Sequence, residues 1–201
     1  MNTDTIVLGN VYDKYNTRNP IARFLFQRFL QTFNELLERV AAESVLEVGC
    51  GEGHLSRLLN VWLEPPRFCG IDLSLQLFDA EAPVSFSCQS AYTLGFRESS
   101  FDLVVGAEVL EHLAEPTAAL HEMHRVTSRF VLLSVPREPI WRVMNLARFT
   151  YWRDLGNTPG HLQHWSSREF VDLIDDSFEI LEVRRPLPWT VVLAVKKVSC
   201  S

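Results

Sequence analysis

The chain has 201 residues, enough for one domain with a sizeable core, and its 47% hydrophobic and 22% charged content is that of an ordinary globular protein. A formal net charge of −6 argues against a dedicated nucleic-acid binder, which normally carries a basic face. The first ten residues lack the pattern of a secretion signal, no apolar run is long enough to span a bilayer, and the four cysteines form no C-x-x-C pair. These features predict a cytoplasmic protein with reduced thiols and no bound zinc.

A long amphipathic helix is predicted first. Asn19 precedes Pro20, the usual arrangement of a helix cap followed by proline at the first helical position. Apolar residues then recur at helical spacing as far as Val40. We expect residues 1–43 to form an N-terminal helical cap that contains this helix.

Strands and helices alternate over residues 44–136. The predicted strands are 44–48, 67–72, 84–88, 101–107 and 130–135, and the predicted helices are 55–62, 75–80 and 116–126. Apolar strands that alternate with helices are typical of a parallel sheet covered on both faces. This segment is therefore predicted to be the cofactor-binding core.

The last third of the chain differs in character. Residues 137–166 are rich in arginine and aromatic residues and contain a G-N-T-P-G turn, which predicts a small helical lid over a substrate. Ser166 and Glu169 then form a capping-box pattern that begins a helix to about Ile174. Two β-rich runs, 178–184 and 190–196, follow with a short connection, so residues 167–201 should form the last helix and an antiparallel hairpin within one single domain.

Three glycines stand at every second position in the stretch VLEVGCGEGHL, between Gly49 and Gly53. A strand-to-helix turn without a ligand is one interpretation. A dinucleotide site, whose fingerprint is G-x-G-x-x-G or A, is the second. The third is a site for S-adenosylmethionine.

The charges near this turn favour S-adenosylmethionine. Glu47 and Glu52 would repel the pyrophosphate of a dinucleotide, and His54 stands where the fingerprint needs a small residue. S-adenosylmethionine carries an ammonium and a sulfonium cation against one carboxylate, so a neighbouring acid helps to bind it. Asp72, at the end of the next strand, can accept both ribose hydroxyls in either class of site.

Four motifs together resemble the class I S-adenosylmethionine-dependent methyltransferases, especially the group that contains the quinone-biosynthesis enzymes. They are VLEVGCGEGHL, GIDLS, LGFRESSFDLVVGAEVLEHL and HEMHRV, within residues 45–136. The resemblance implies a Rossmann-like α/β fold, a seven-stranded sheet with an antiparallel last strand and helices on both faces. It also implies transfer of a methyl group from S-adenosylmethionine to a small-molecule or lipid-like acceptor by in-line displacement.

The resemblance also implies which residues hold the cofactor. Glu47 and the turn residues Gly49, Cys50, Gly51 and Gly53 hold the methionine moiety. Asp72 binds the ribose, and Leu73, Ser90 and Ala91 lie at the adenine. Ala107 faces the transferring methyl. Ser90 stands where many relatives have an acid for the adenine amino group, and Gly95 replaces a usual proline.

The stretch AEVLEHL places Glu108, Glu111 and His112 after a strand, at the sheet edge where ligands bind. Some relatives use a similar run to hold a divalent metal, with a distant histidine such as His161 or His164 to complete the site. In many small-molecule relatives the same residues only shape the pocket, and we expect no metal here. The candidate catalytic residues are His112, His161 and Tyr15.

The arginines and aromatic residues of the lid favour an acceptor with an apolar body and an anionic group; an ordinary helix with a solvated basic face is the alternative. Nucleic acid is not expected as a partner. Two alternatives for the function remain, a metal-assisted RNA 2′-O-methyltransferase and a non-catalytic S-adenosylmethionine-binding protein, with a nicotinamide dehydrogenase last. The acceptor, the methylated atom and the oligomeric state do not follow from the sequence.

Overall fold

The computed structural model of the chain describes residues 17–74, 84–147 and 151–197. The strands are β1 (Ser44–Val48), β2 (Arg67–Asp72), β3 (Ser85–Cys88), β4 (Phe101–Ala107), β5 (Thr127–Pro136), β6 (Phe178–Arg184) and β7 (Trp189–Lys196). The helices are α1 (Pro20–Leu37), α2 (His54–Leu63), α3 (Pro116–Val126), α4 (Ile140–Ala147) and α5 (Ser167–Asp175), with short 3-10 helices at Leu110–His112 and Trp152–Asp154. Within these ranges no helix combines the length and the apolarity that crossing a bilayer requires.

The seven strands form one sheet in the order β3-β2-β1-β4-β5-β7-β6. The first five strands pair in parallel, and β7 lies antiparallel between β5 and β6. The connection from β6 to β7 is short, as the sequence indicated, and a tight turn between neighbours requires antiparallel strands. This confirms the predicted Rossmann-like sheet with its reversed last strand.

Both faces of the sheet are covered by helices. Side chains along each strand alternate between the faces, so Leu46 packs in one apolar cluster and Val45 in the other. The first cluster includes α3 and α5, for example through Met123 and Phe170, and the second includes α1 through residues such as Phe33. Burial on both faces explains why the strands read as continuous apolar runs.

Two element boundaries differ from the prediction by three residues, and the other differences are of one residue. The first helix ends at Leu37 rather than near Val40, because the chain tightens there into two turns closed by bonds from Arg39 N to Leu36 O and from Val40 N to Leu37 O. Strand β5 begins at Thr127, three residues early, since its polar start is recruited by pairing with β4. The predicted helix 75–80 and the candidate Tyr15 lie outside the described residues.

Candidate active site

A cavity of about 900 Å³ lies at the carboxyl ends of the parallel strands. Strand β1 lies between β2 and β4 in the sheet. From β1 the strand order continues to β2 and β3 in one direction and to β4 and β5 in the other. Such a switch point is where open α/β sheets bind their ligands. The cavity is lined by the ends of β1, β2 and β4 below, and by α1, α4 and the segment 151–162.

The turn after β1 is fastened to the end of β2. The backbone N–H groups of Gly49 and Cys50 both donate to Ile71 O, at 2.8 and 3.0 Å. Gly51 N donates to Asp72 Oδ2 at 2.9 Å. The turn and the Asp72 carboxylate, predicted to bind the methionine and the ribose, are therefore held together in one rigid unit beside the cavity.

Gly49 and Gly51 of this turn differ in the structural constraints that favour glycine. Both have left-handed backbones, with φ of +71° at Gly49 and +52° at Gly51. A Cβ added to Gly49 would lie 2.3 Å from Val109 Cγ2, whereas a Cβ on Gly51 would meet nothing within 4 Å. Only Gly49 therefore also provides a close approach to the strand end at β4.

We expect Gly49→Ala to destabilise the protein more than Gly51→Ala. The second change costs only the left-handed backbone penalty, about 1–2 kcal/mol. The first adds an overpacking cost of about 1–3 kcal/mol against Val109. Urea unfolding of the two variants measures the difference, and equal losses would contradict the packing argument.

Glu47 is a buried acid in the floor of the cavity. Its side chain is 2% exposed and accepts a hydrogen bond from the Ser56 hydroxyl. Burial raises its pKa to about 8, with a smaller contribution from the negative charge of Asp72. This raised pKa favours the neutral form of Glu47 at pH 7, and a cation placed beside it would favour the ionised form.

The side of the cavity that is predicted to hold the adenine and the ribose is formed by the ends of β2 and β3. Leu73, Ser90 and Ala91 line the cavity there, and Leu73 is exposed enough to cover a planar ring. The Ser90 hydroxyl accepts a bond from Tyr92 N at 3.2 Å, so it also shapes this loop. Gln89 lines the cavity too, although its plain sequence context gave no signal for it.

The end of β4 carries a strained backbone. Ala107 lines the cavity as predicted, and Glu108 after it has φ of +57°, which is rare for a residue with a side chain. Glu108 N donates to Ser134 O at 3.0 Å, and its carboxylate accepts a bond from the Trp189 indole. The strain turns the chain sharply so that the following 3-10 helix faces the cavity.

His112 and His161, two of the predicted catalytic residues, are brought together across the cavity wall. Their ring centroids are 4.9 Å apart in an edge-to-face arrangement, and His161 also stacks on Trp141 at 6.0 Å. His112 Nδ1 lies 2.9 Å from Gly160 O. A carbonyl oxygen can only accept, so Nδ1 carries the proton and the neutral ring has its lone pair on Nε2.

The predicted acid–histidine run separates into two parts. A carboxylate oxygen of Glu111 and one ring nitrogen each of His112 and His161 lie within 4.8 Å of one another, a set that could hold a metal ion. Glu108 does not belong to this set, because its carboxylate is engaged by Trp189. His164 does not belong either, and its Nε2 lies 2.7 Å from Asn157 Oδ1.

The outer half of the cavity is aromatic. Trp189 packs against Phe29 and Trp141, with ring centroids 4.8 and 5.8 Å apart, and α1 adds Phe26. The sequence motifs gave no site role to Phe26, Phe29 and Trp189, although the phenylalanine-rich first helix was a usable signal. Among the described lining residues none is Lys or Arg.

The expected basic lid is therefore not seen in the described residues. Arg142 is paired with Glu138 at 3.6 Å instead of lining the cavity, and Arg137 is also absent from the lining. The apolar character of the predicted lid remains, through Trp141 and Tyr151.

A seven-stranded sheet with one reversed strand, and a glycine turn backed by a buried acid at its switch point, define a class I S-adenosylmethionine-dependent methyltransferase. The family model described as a methyltransferase domain matches residues 21–180. The chain therefore belongs to this methyltransferase family.

Known proteins resemble the chain at two levels. An uncharacterized methyltransferase of Schizosaccharomyces pombe is 33% identical over 142 residues, which are 62% of this chain and 49% of that protein. A probable S-adenosylmethionine-dependent methyltransferase of Mycolicibacterium smegmatis is 27% identical over 164 residues, 78% of this chain and 60% of that one. The chain thus spans about half to three fifths of these relatives.

In fold, the chain is similar to the magnesium protoporphyrin IX methyltransferase of Synechocystis, solved with S-adenosylhomocysteine. The TM-score is 0.66 at 19% identity, and the match covers 90% of this chain and 89% of the other.

Proposed function

We propose that the chain transfers a methyl group from S-adenosylmethionine to a small, largely apolar acceptor. The observation that carries the proposal is that one cavity joins two chemically different halves. The half beside Glu47 and Asp72 is acidic and suits a cationic donor, and the half beside Trp141 and Trp189 is aromatic. A volume of about 900 Å³ is near the top of the range of about 300–1,000 Å³ for ligand pockets, which leaves room for both molecules.

The sulfonium methyl supplied by the bound cofactor is already activated for displacement. The protein's task is then to hold donor and acceptor in line and to exclude water. The glycine turn after β1, which is hydrogen-bonded to Ile71 and Asp72, orients the donor. The aromatic rings of Phe26, Trp141 and Trp189 exclude water from the acceptor. This division assigns positioning, rather than bond activation, to most of the lining residues.

His112 is the residue best suited to take a proton from the acceptor. Its Nδ1–H donates to Gly160 O, which fixes the ring and leaves the Nε2 lone pair as the basic atom. His161 supports it by packing edge to face against the ring. An acceptor with a hydroxyl or amine group needs such a base, whereas one that arrives ionised does not.

The lining supports a neutral acceptor. None of the described lining residues is Lys or Arg, so an anionic group on the acceptor would find no basic side chain to pair with in the half of the cavity that also contains the Glu108 carboxylate. An apolar body with a neutral hydroxyl or amine fits better, and the anionic group expected from the lid arginines is not part of this proposal.

The test is incubation of the protein with S-adenosylmethionine carrying a labelled methyl and with fractionated metabolite and lipid extract. We expect label in an organic-soluble fraction, with the same yield when EDTA is added. Binding of the donor without label transfer to any fraction would favour a non-catalytic binding protein. Transfer to RNA that stops in EDTA would favour the metal-assisted alternative.

A further inference from the structure

The mouth of the cavity is surrounded by exposed apolar side chains. We call six of them the rim: Ile21, Phe24, Val143, Trp152, Leu155 and Leu162, which are 58–73% exposed. Leu162 itself lines the cavity, and four others stand directly beside a lining residue in the chain, as Phe24 stands beside Leu25. Of the other large apolar side chains described as exposed, Leu73 and Tyr92 line the inner half of the cavity and Leu187 stands beside the lining residue Pro188. Val61 and Leu181 neither line the cavity nor stand beside a lining residue in the chain.

Helix α1 has two apolar faces. Phe26, Phe29 and Phe33 form the buried one. Ile21 and Phe24, three residues apart, share a different stripe that points to solvent. A globular helix needs only the first face for folding, and exposed apolar patches are a common feature of interaction sites.

The two segments that contain the rim residues, 17–34 and 137–166, carry an excess of positive charge in an acidic protein. Residues 17–34 contain three arginines and no acid, and residues 137–166 contain four arginines and two acids, although the formal net charge of the chain is −6. Arg18, Arg23 and Arg28 are exposed beside the rim residues of α1. Arginines interleaved with exposed Phe, Ile and Trp are the pattern of segments that lie on an anionic membrane surface.

We propose that the rim docks on an anionic lipid surface, and that an apolar acceptor enters the cavity directly from that surface. The second half of this inference rests on the proposed function. The first half does not, because vesicle binding can be measured without donor or acceptor. The rim side chains insert among the lipid chains while Arg18, Arg23 and Arg28 contact the head groups.

The experiment is sedimentation of the full chain with vesicles of phosphatidylglycerol and phosphatidylcholine, compared with pure phosphatidylcholine. We expect binding to the anionic vesicles that is at least about tenfold stronger than to the neutral ones and that weakens with salt. The triple variant Ile21→Ser, Phe24→Ser and Trp152→Ser should lose about tenfold or more in vesicle binding. The control Val61→Ser with Leu181→Ser should bind like the wild type.

The charge is tested in the same way. Arg18→Gln, Arg23→Gln and Arg28→Gln together should lower binding to anionic vesicles by about tenfold or more. The control Arg97→Gln, Arg168→Gln and Arg185→Gln removes equally exposed charge elsewhere. Binding of S-adenosylhomocysteine, measured in parallel, should be unchanged in every variant and reports on folding.

Three results would overturn the proposal. One is no sedimentation with either vesicle, and another is equal loss in rim and control variants. The third is a dimer in solution that the rim variant dissociates, which would make a second copy of the chain the occupant. Failure of the proposed function instead gives vesicle binding with no label transfer.

Discussion

The variant His112→Asn is expected to lower kcat by about 100- to 1,000-fold with the acceptor identified by labelling. Loss of a positioned general base typically costs about 10²–10⁴ in rate. Asparagine is chosen because its amide nitrogen can replace Nδ1 and keep the bond to Gly160 O, while the basic Nε2 is lost. Affinity for S-adenosylhomocysteine should change little, and the acidic limb of the pH profile of kcat/KM should disappear.

The matched control is His164→Asn. His164 lies in the predicted lid segment that also carries His161, but its ring pairs with Asn157 and it is absent from the cavity lining. We expect its kcat to stay within a few-fold of the wild type. A His112→Asn enzyme with unchanged kcat and an unchanged pH profile would remove His112 from the mechanism.

Replacing Glu47 by glutamine is expected to weaken S-adenosylhomocysteine binding by about 30-fold or more, since loss of one partner from a buried charge pair costs about 2 kcal/mol or more. Because the pKa of Glu47 is about 8 without a ligand cation beside it, binding of the ligand's ammonium at pH 7 should also release close to one proton. Calorimetry in two buffers with different ionisation enthalpies measures that proton. The variant should release none.

Glu52→Gln is the control for charge alone. Glu52 lies in the same turn but is half-exposed and within 3.0 Å of His54, so its removal should weaken binding by only a few-fold. Proton release that persists in Glu47→Gln would contradict the assignment to Glu47.

The same pKa has a consequence for stability. A carboxyl whose pKa rises from 4.5 to about 8 on folding favours the folded state below pH 4.5, and this contribution is lost as pH rises to about 8. Glu47→Gln should therefore gain stability relative to the wild type across that interval, as urea unfolding at several pH values would measure. A constant difference between pH 4.5 and 8 would contradict the raised pKa.

Most of the core was predictable because its signals are local. Apolar runs such as Ser44–Val48 and Phe101–Ala107 are buried on both faces and so identify themselves as strands, and both have the predicted bounds. Ser166 and Glu169 form the expected capping box. The short connection before Trp189 correctly indicated the reversed last strand.

The acceptor half was less predictable because it is assembled by contacts across the chain. Trp189 reaches Glu108 across 81 positions and also packs on Phe29 of the first helix. The spacing of residues in the sequence does not predict such long-range contacts. Arg142 also differs from the prediction, since it pairs with Glu138 four residues earlier and does not line the cavity.

If Glu47 selects a cationic donor over a phosphorylated one, calorimetric titration should distinguish S-adenosylhomocysteine from NADH. We expect saturable binding of S-adenosylhomocysteine in the micromolar range and no detectable heat with NADH. Tight binding of NADH without affinity for S-adenosylhomocysteine would contradict it.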